Sequence, residues 1–493
     1  MKKIIKEKAI SMMLCIIALI FALPSAAFAQ TGISNEAEEH ILNELRRARI
    51  PNAAIAVIQD GETSYIFRYS THDTLFQIGS VSKSFTGFGV LLLEDMGLLS
   101  VNDPVNQHLP WFEMHYNGIP VPHEDITVYN LLQHTSGLIS DERLFPRAAV
   151  TESTDEFTAR LTGLELVFYP SERHVYGNLN YIILGLLIET VSGQSYDEFM
   201  TQHVLHPLGM YNTFTDMQRA YETGWVIGGN RLRFLQPVSW NPPMHPTTIP
   251  SGFIYSNITD MVRWAEVHLG SEDIPEQFVR VVQRSHENNH NFTNPFADRN
   301  LIYTAGWNVN LESGSIHHYG STPGYSAALR MLPDSNTAVV ILGNLSAGAT
   351  LFGVYILNVI EGEPFSSAGM NPFAIIDIIY TVTFAICIVY IGFFIRFIAG
   401  LIKRLKGGKL TNRKIVFKIR WLIAPLIVIA DIILMYISPS MLSNSSHEFA
   451  LMFSPASYTP ALIGLWVALV CSLCVFIARV LGLSPKKKQK IEK

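Results

Sequence analysis

The sequence predicts an α/β (α+β) domain, an antiparallel sheet flanked by helices with a helical insert, followed by three transmembrane helices. Strand-like runs lie at both ends of its outer part. AAIAVIQDGETSYIFRY, residues 53–69, places two around Asp60-Gly61, a hairpin signal. YSAALRMLPDSNTAVVILGN, residues 325–344, places two more around Pro333–Asn336, and a helical run at about 347–361 follows. Between them, about 93–300 reads as helical pattern and loops, so a sheet made from both ends of the chain encloses an inserted helical region. After about residue 370 the composition turns apolar, in runs at about 373–401, 421–438 and 459–482. Each is long enough to cross a bilayer, and with 48% hydrophobic residues and a positive mean hydropathy the whole chain is too apolar for an ordinary soluble protein.

From the N-terminus, residues 1–29 join a basic stretch, a short apolar run and Ala27-x-Ala29, the pattern of a signal peptide cleaved before Gln30. The domain expected at 30–365 is therefore extracytoplasmic. Three transmembrane helices occupy 371–485, and 486–493 is a basic tail. The 403–420 loop holds eight basic residues and 439–458 holds none. Basic loops stay in the cytoplasm, which puts the first helix outside to inside and the tail inside. This agrees with the leader and makes the chain a multi-pass cell-membrane protein. Asp377, Arg396 and Asp431 are among the charges in or near these helices; Arg396 can snorkel, and the aspartates need partners inside the bundle.

Charge divides at the same place. Residues 30–370 carry 17 Lys and Arg against 36 Asp and Glu, a net of −19, and the remainder carries 19 against 5, a net of +14. An acidic outer domain argues against nucleic acid as a partner. The four cysteines, Cys15, Cys387, Cys471 and Cys474, all fall in the leader or the apolar runs. The outer domain has neither a disulfide framework nor a thiolate metal site.

One lysine stands alone. Between Lys8 and Lys403 the only lysine is Lys83, in IGSVSKSFTG, against seventeen arginines. Ser80 and Lys83 are three apart at the start of the apolar run Phe85–Leu99, so they share a helix face. A serine hydroxyl is a weak nucleophile and needs a base. Lysine can be that base once burial lowers its pKa, whereas arginine does not lose its proton. Two further stretches have matching chemistry. VYGNLNYIILGLLIETVSG sets Tyr176 and Asn178 in a loop before an apolar helix. The tyrosine can relay a proton and the asparagine can orient the lysine and the substrate. IHHYGSTPGYSAALR sets His318, Gly320 and Ser321 at a strand edge whose N–H groups can face a developing oxyanion.

These motifs, in this order, resemble the β-lactamase-related serine hydrolases: class C β-lactamases, low-molecular-weight penicillin-binding proteins and related esterases and peptidases. DTLFQIGSVSKSFTG, ITVYNLLQHTSGL, HPLGMYNT, SGFIYSNITDMVRWA and HHYGSTPGYSA carry the likeness over about residues 35–362. The resemblance implies a β-lactamase-like fold with Ser80 as acylated nucleophile, Lys83 as its base partner, and Tyr176 and Asn178 as second motif. It implies His318-Tyr319-Gly320 as third motif and the Ser80 and Ser321 N–H groups as oxyanion hole. Two departures stand out: His318 where many relatives have lysine, and Gly177 where serine is frequent. The three C-terminal helices resemble membrane-bound relatives such as teichoic-acid D-alanine esterase-like proteins and the peptidases that release an acyl-D-asparagine cap from prodrug antibiotics.

The expected function is hydrolysis, through a serine acyl-enzyme and without cofactor or metal, of a D-amino-acid-containing peptide or ester. A β-lactamase or D-Ala-D-Ala carboxypeptidase, and a non-catalytic β-lactam or cell-wall sensor, are the alternatives. A neutral histidine at 318, with a reference pKa of about 6.5, forgoes the charge that a lysine offers a penicillin carboxylate. Arg330 is the nearest basic residue that can compensate. HENNH, residues 286–290, matches a zinc-hydrolase pattern but sits in an asparagine-rich stretch without an apolar face. His134 and Ser136 in LLQHTSGL are expected to close a helix, with Thr135 and Ser136 bonding its end and Gly137 as cap.

Overall fold

The computed structural model describes residues 33–138, 152–242, 244–287, 300–349, 352–360, 369, 371–407, 422–443, 451–452 and 454–481. The leader, the tail, most of the basic loop and His290 of HENNH lie outside the described residues.

Seven antiparallel strands form the main sheet: β1 (Ala53–Gln59), β2 (Glu62–Arg68), β3 (Leu301–Thr304), β4 (Trp307–Asn310), β5 (Ile316–Ser321), β6 (Ser326–Leu332) and β7 (Thr337–Gly343). Their order is β3-β4-β5-β6-β7-β1-β2. The two ends of the domain meet where β7 pairs with β1, Ala53 opposite Gly343 and Ile58 opposite Ala338. Alternation along the strands buries both faces. Ala54, Ala56 and Ile58 join Leu329, Val340 and Leu342 on the face toward the helical insert. Ala53, Ile55 and Val57 join Ala328, Val339 and Ile341 on the other. That second face is covered by α1 (Asn35–Arg47), through Ile41 and Leu45, and by α6 (Phe352–Ile360), through Phe352 and Ile356.

The insert supplies α2 (Ser82–Asp95), α3 (Asn178–Ser192), α4 (Ile258–Leu269) and α5 (Glu276–His286). Helix α2 is buried from Ser82 to Leu93, with Phe85 stacked on Trp264 of α4 at 4.0 Å between ring centres. A fully buried helix explains why this run is apolar on all sides rather than striped. In LLQHTSGL the helix stops at Leu132 and is followed by His134 at φ 57, while Gly137, expected as the cap, lies further on and is also left-handed, at φ 84. The Thr135 N–H bonds the Asn130 carbonyl at 2.9 Å, while the Ser136 hydroxyl donates to Asn180 at 2.6 Å.

The inserted region also contains short strands that the sequence pattern does not announce. One pair, Asn230–Arg233 with Gln236–Ser239, is closed by Phe234 and Leu235 alone. Both have positive φ, 51° and 61°. A two-residue turn of this hand favours Asn-Gly, and holding bulky residues there costs about 1–2 kcal/mol each.

Three apolar helices follow: α7 (Pro372–Lys406), α8 (Ile423–Ser443) and α9 (Tyr458–Val480). Phe373–Lys403 and Tyr458–Val480 are long and apolar enough to cross a membrane, with mean hydropathy 2.4 and 2.7; the apolar part of α8, Ile423–Ile437, is shorter. Asp377 has its partners outside the helix bundle proper: the Leu235 N–H of the hairpin tip at 2.5 Å and the Ser457 hydroxyl.

Candidate active site

Ser80 stands in the tight turn Gly79–Val81 that runs into α2, and Lys83 is one turn further on. The Lys83 Nζ is 3.2 Å from the Ser80 hydroxyl. It also touches the Asn178 Oδ1, at 2.6 Å, and the Ser251 carbonyl. Lys83 is fully buried, and burial alone drives its pKa well below the ordinary lysine value. Two of its three neighbours only accept hydrogen bonds. A neutral amine gives its two N–H bonds to Asn178 and Ser251 and turns its lone pair to the Ser80 O–H. That is the disposition of a base beside its nucleophile.

Asn178 is the first residue of α3 rather than part of the loop, with Gly177 as its extended cap. Tyr176 lies with its ring 4.9 Å from the Lys83 nitrogen. Its hydroxyl is buried without a hydrogen-bond partner among the described residues. Burial raises its pKa, and the Ser80 side chain opposes that rise. A buried hydroxyl that has only the Ser80 side chain beside it can take a partner from a substrate.

The third motif arrives from the sheet. Strand β5 pairs with β6 along its whole length, but with β4 only at Ile316 and His317. From His318 on, its outer edge is open to the nucleophile turn. The approach is backbone to backbone: a Cβ on Gly320 would lie 2.0 Å from the Ile78 carbonyl, and one on Gly79 would lie 2.4 Å from the Ser321 nitrogen. Gly79 also has φ +55. Glycine at both places lets the Ser321 main chain stand beside the turn that carries Ser80.

His318 points into the protein. Its Nδ1 is 2.8 Å from the Tyr319 carbonyl and its Nε2 is 3.2 Å from the Tyr303 hydroxyl. A carbonyl only accepts, so Nδ1 carries the proton and Nε2 accepts from Tyr303. Burial, with Lys83 adding to it, pulls the His318 pKa down to about 3. The ring is neutral, as its residue type suggests, and both nitrogens are already used. Arg330 does not replace the missing charge. It pairs with His317 in the register, so its side chain is on the opposite face of the sheet from His318, where it reaches Ser315 and Tyr319.

Thus the seven residues singled out from sequence, Ser80, Lys83, Tyr176, Asn178, His318, Gly320 and Ser321, converge from one helix start, one helix cap and one strand edge. Sequence reasoning missed the Ser251 carbonyl, which has no side-chain signature, and Tyr303, a lone tyrosine outside any motif. It also missed how closely His134 joins the cluster, its ring 4.5 Å from Tyr176 and 4.6 Å from Tyr303. Among the described residues no cluster of His, Cys, Asp and Glu suits a metal ion.

The family model described as Beta-lactamase matches residues 37–355. The chain belongs to the beta-lactamase family. Members of this family are serine hydrolases of the β-lactamase and penicillin-binding type, and the fold described above is theirs. Protein flp of Staphylococcus aureus strain MW2 is 28% identical over 473 residues, covering 90% of this chain and 91% of its own. Penicillin-binding protein 4* of Bacillus subtilis strain 168 is 27% identical over 292 residues, 55% of this chain and 61% of its own. Among solved structures, an octameric penicillin-binding protein homologue from Pyrococcus abyssi superposes with a TM-score of 0.57 at 24% identity, covering 68% of this chain and 78% of its own. A class C beta-lactamase gives 0.55 at 19% identity, over 65% of this chain and 94% of its own. At these identities the solved structures speak for the beta-lactamase fold alone.

Proposed function

We propose that this protein is a membrane-anchored, extracytoplasmic serine hydrolase that cleaves a D-amino-acid-containing peptide or ester through a Ser80 acyl-enzyme. The observation that carries the reading is the Lys83 amine, fully buried, with depressed pKa and 3.2 Å from the Ser80 hydroxyl. In acylation Ser80 Oγ attacks the substrate carbonyl as Lys83 takes its proton. The Ser80 and Ser321 N–H groups hold the oxyanion. Tyr176 passes a proton to the departing amine or alcohol, so the leaving group goes out neutral. In the second half a water adds to the acyl group along the same proton path and frees Ser80. Asn178 holds the lysine and borders the substrate, and Gly320 admits the main chain of β5 to the turn.

The substrate preference rests on His318. A penicillin, or a terminal D-alanine, presents a carboxylate, and a neutral imidazole with both nitrogens occupied offers it no charge-assisted bond. An amide or ester recognised without that carboxylate is favoured. The anchor consists of α7, α8 and α9 as three spans, with the catalytic domain and the loop after α8 outside and the loop before it inside.

The test is a substrate screen on membranes carrying the wild type or Ser80→Ala, spanning D-amino-acid peptides, D-alanyl esters and β-lactams. Turnover of the peptides or esters that disappears in Ser80→Ala is expected. Efficient penicillin turnover would replace this reading with a β-lactamase, and one round of acylation without turnover would replace it with a sensor. Protease added to intact cells is expected to digest the domain and spare a tag at residue 493; loss of the tag would overturn the topology.

A further inference from the structure

Asp377 is a fully buried carboxylate near the outer end of α7. Its two bonding partners are neutral: the Leu235 N–H of the hairpin tip and the Ser457 hydroxyl before α9. The tip it binds is the Phe234-Leu235 turn, both residues left-handed. A strained conformation persists where surrounding contacts hold it, and here those contacts come from the membrane helices. The Phe234 ring stacks on Phe384 of α7 at 5.3 Å. The hairpin stem is tied as well. The Trp240 indole donates to the Met452 carbonyl at 2.9 Å, and the Leu232 carbonyl accepts from the Ala456 N–H at 2.6 Å. Arg231 lies 3.5 Å above the Trp240 ring and donates to the Leu451 and Ser454 carbonyls.

The base of this hairpin leads to Ser321. The Asn230 carbonyl accepts from the Ser346 N–H at 3.2 Å, and the Asn230 amide donates to the Asn344 carbonyl at 3.1 Å. The Ser346 carbonyl accepts from Asn371, one residue before α7, at 3.0 Å. The next residue, Ala347, donates its N–H to the Ser321 hydroxyl at 3.1 Å. The segment that grips Ser321 is thus bonded on one side to the hairpin and on the other to the start of α7.

We propose that Asp377 is a positioning residue of the hydrolase. By clamping the hairpin tip to α7 and α9 it fixes the 344–347 segment, and through it sets Ser321 beside Ser80. The membrane helices are then part of the catalytic framework as well as an anchor. The proposal rests on the serine-hydrolase reading above. Asp377 touches no reacting atom, so its effect falls on kcat more than on KM.

The experiment uses the full-length protein in detergent or membranes, as wild type, Asp377→Leu and Asp377→Asn. Each is made with and without Phe234→Cys plus Phe384→Cys, in a background whose native cysteines are replaced. A short bis-maleimide then reports docking independently of activity. Asp377→Leu is expected to lower crosslinking and to lower kcat about tenfold with KM little changed, the scale of a small misplacement of a catalytic group. Asp377→Asn, which keeps an accepting oxygen, is expected to restore most of both, and crosslinking the Leu variant is expected to raise its kcat. Trp240→Phe, which loses one hydrogen bond but keeps the ring, tests the same coupling should Asp377→Leu fail to fold; a fall in kcat of about threefold with unchanged KM supports it. Wild-type kcat in an undocked Asp377→Leu protein, or in Trp240→Phe where that is the variant available, would overturn the positioning role alone. Absence of wild-type turnover and of Ser80 labelling would overturn the hydrolase reading and this role with it.

Discussion

The Ser80 nook and the hairpin dock are both buried, polar and assembled from distant parts of the chain, yet they are built from different material. The nook depends on side-chain identity: a hydroxyl, an amine, an amide oxygen and a phenol, each within a few residues of another motif member. The dock depends mostly on main-chain groups, with the Met452, Leu451, Ser454 and Leu232 carbonyls and the Leu235 and Ala456 N–H groups doing the bonding. Chemistry needs particular atoms, whereas docking needs only a surface of matching shape and satisfied backbone groups. The nook should therefore fail steeply when one side chain changes, and the dock gradually.

The sharpest break in that comparison is expected at Ser80 and Lys83, the proposed nucleophile and base. Ser80→Ala and Lys83→Arg should each remove several powers of ten of hydrolysis, together with labelling by a serine-reactive phosphonate. An arginine at 83 that retained most of the activity would defeat the neutral-amine argument. With neutral Lys83 as the proposed base, turnover should be present above its folded pKa and fall as pH drops through it. His318, at about 3, adds no limb between pH 5 and 8.

Next comes the glycine contact. Gly320→Ala puts a Cβ where the Ile78 carbonyl already is. It should cost about a hundredfold or more in kcat, the scale of losing an oxyanion donor. Normal kcat in that variant would mean that the β5 edge does not serve the reaction. A smaller effect is expected at the third motif. His318→Lys should raise penicillin acylation about tenfold, the difference between a charge-assisted and a neutral hydrogen bond. Unchanged or lower acylation, measured as single-turnover labelling, would place carboxylate recognition elsewhere.

The mildest prediction concerns stability. Burial holds His174 and His317 at about 4 and His318 at about 3, so all three are neutral in the folded domain. The unfolded chain takes up protons from about 6.5 downward. Stability is therefore complete above that value and declines as pH falls toward the folded values, by at most about 1.4 kcal/mol per pH unit for each histidine. The melting temperature should drop by several degrees between pH 7 and 5.5, and a flat profile would mean that these rings are solvated. Most of the dock's bonds end on carbonyls, which do not titrate in this range.

The sequence alone determined the family and the strand pairs at the two ends of the domain, and it singled out Ser80 and Lys83, whose side chains the structure places 3.2 Å apart. A hydroxyl with an amine three residues on, and the glycines of a close approach, are fixed by residue type at fixed spacing, and β1 and β7 are continuous apolar runs beside turn residues. The neutral state of residue 318 was also legible, because histidine lacks the charge of lysine at neutral pH. Only the tertiary structure decided where His318 points, since its partner Tyr303 lies on β3, two strands away in the sheet order, and carries no motif. Only the tertiary structure put His134 as well as Gly137 in the left-handed region and ended the helix at Leu132, with the His134 ring packed among Tyr176, Tyr181 and Tyr303. The Asn230–Ser239 hairpin was invisible for the same kind of reason: Phe234-Leu235 is a poor turn on its own and forms where Asp377 and Phe384 hold it. Local propensity is written in neighbouring residues, but a contact that overrides it comes from a segment more than a hundred residues away, and no single stretch of sequence records that.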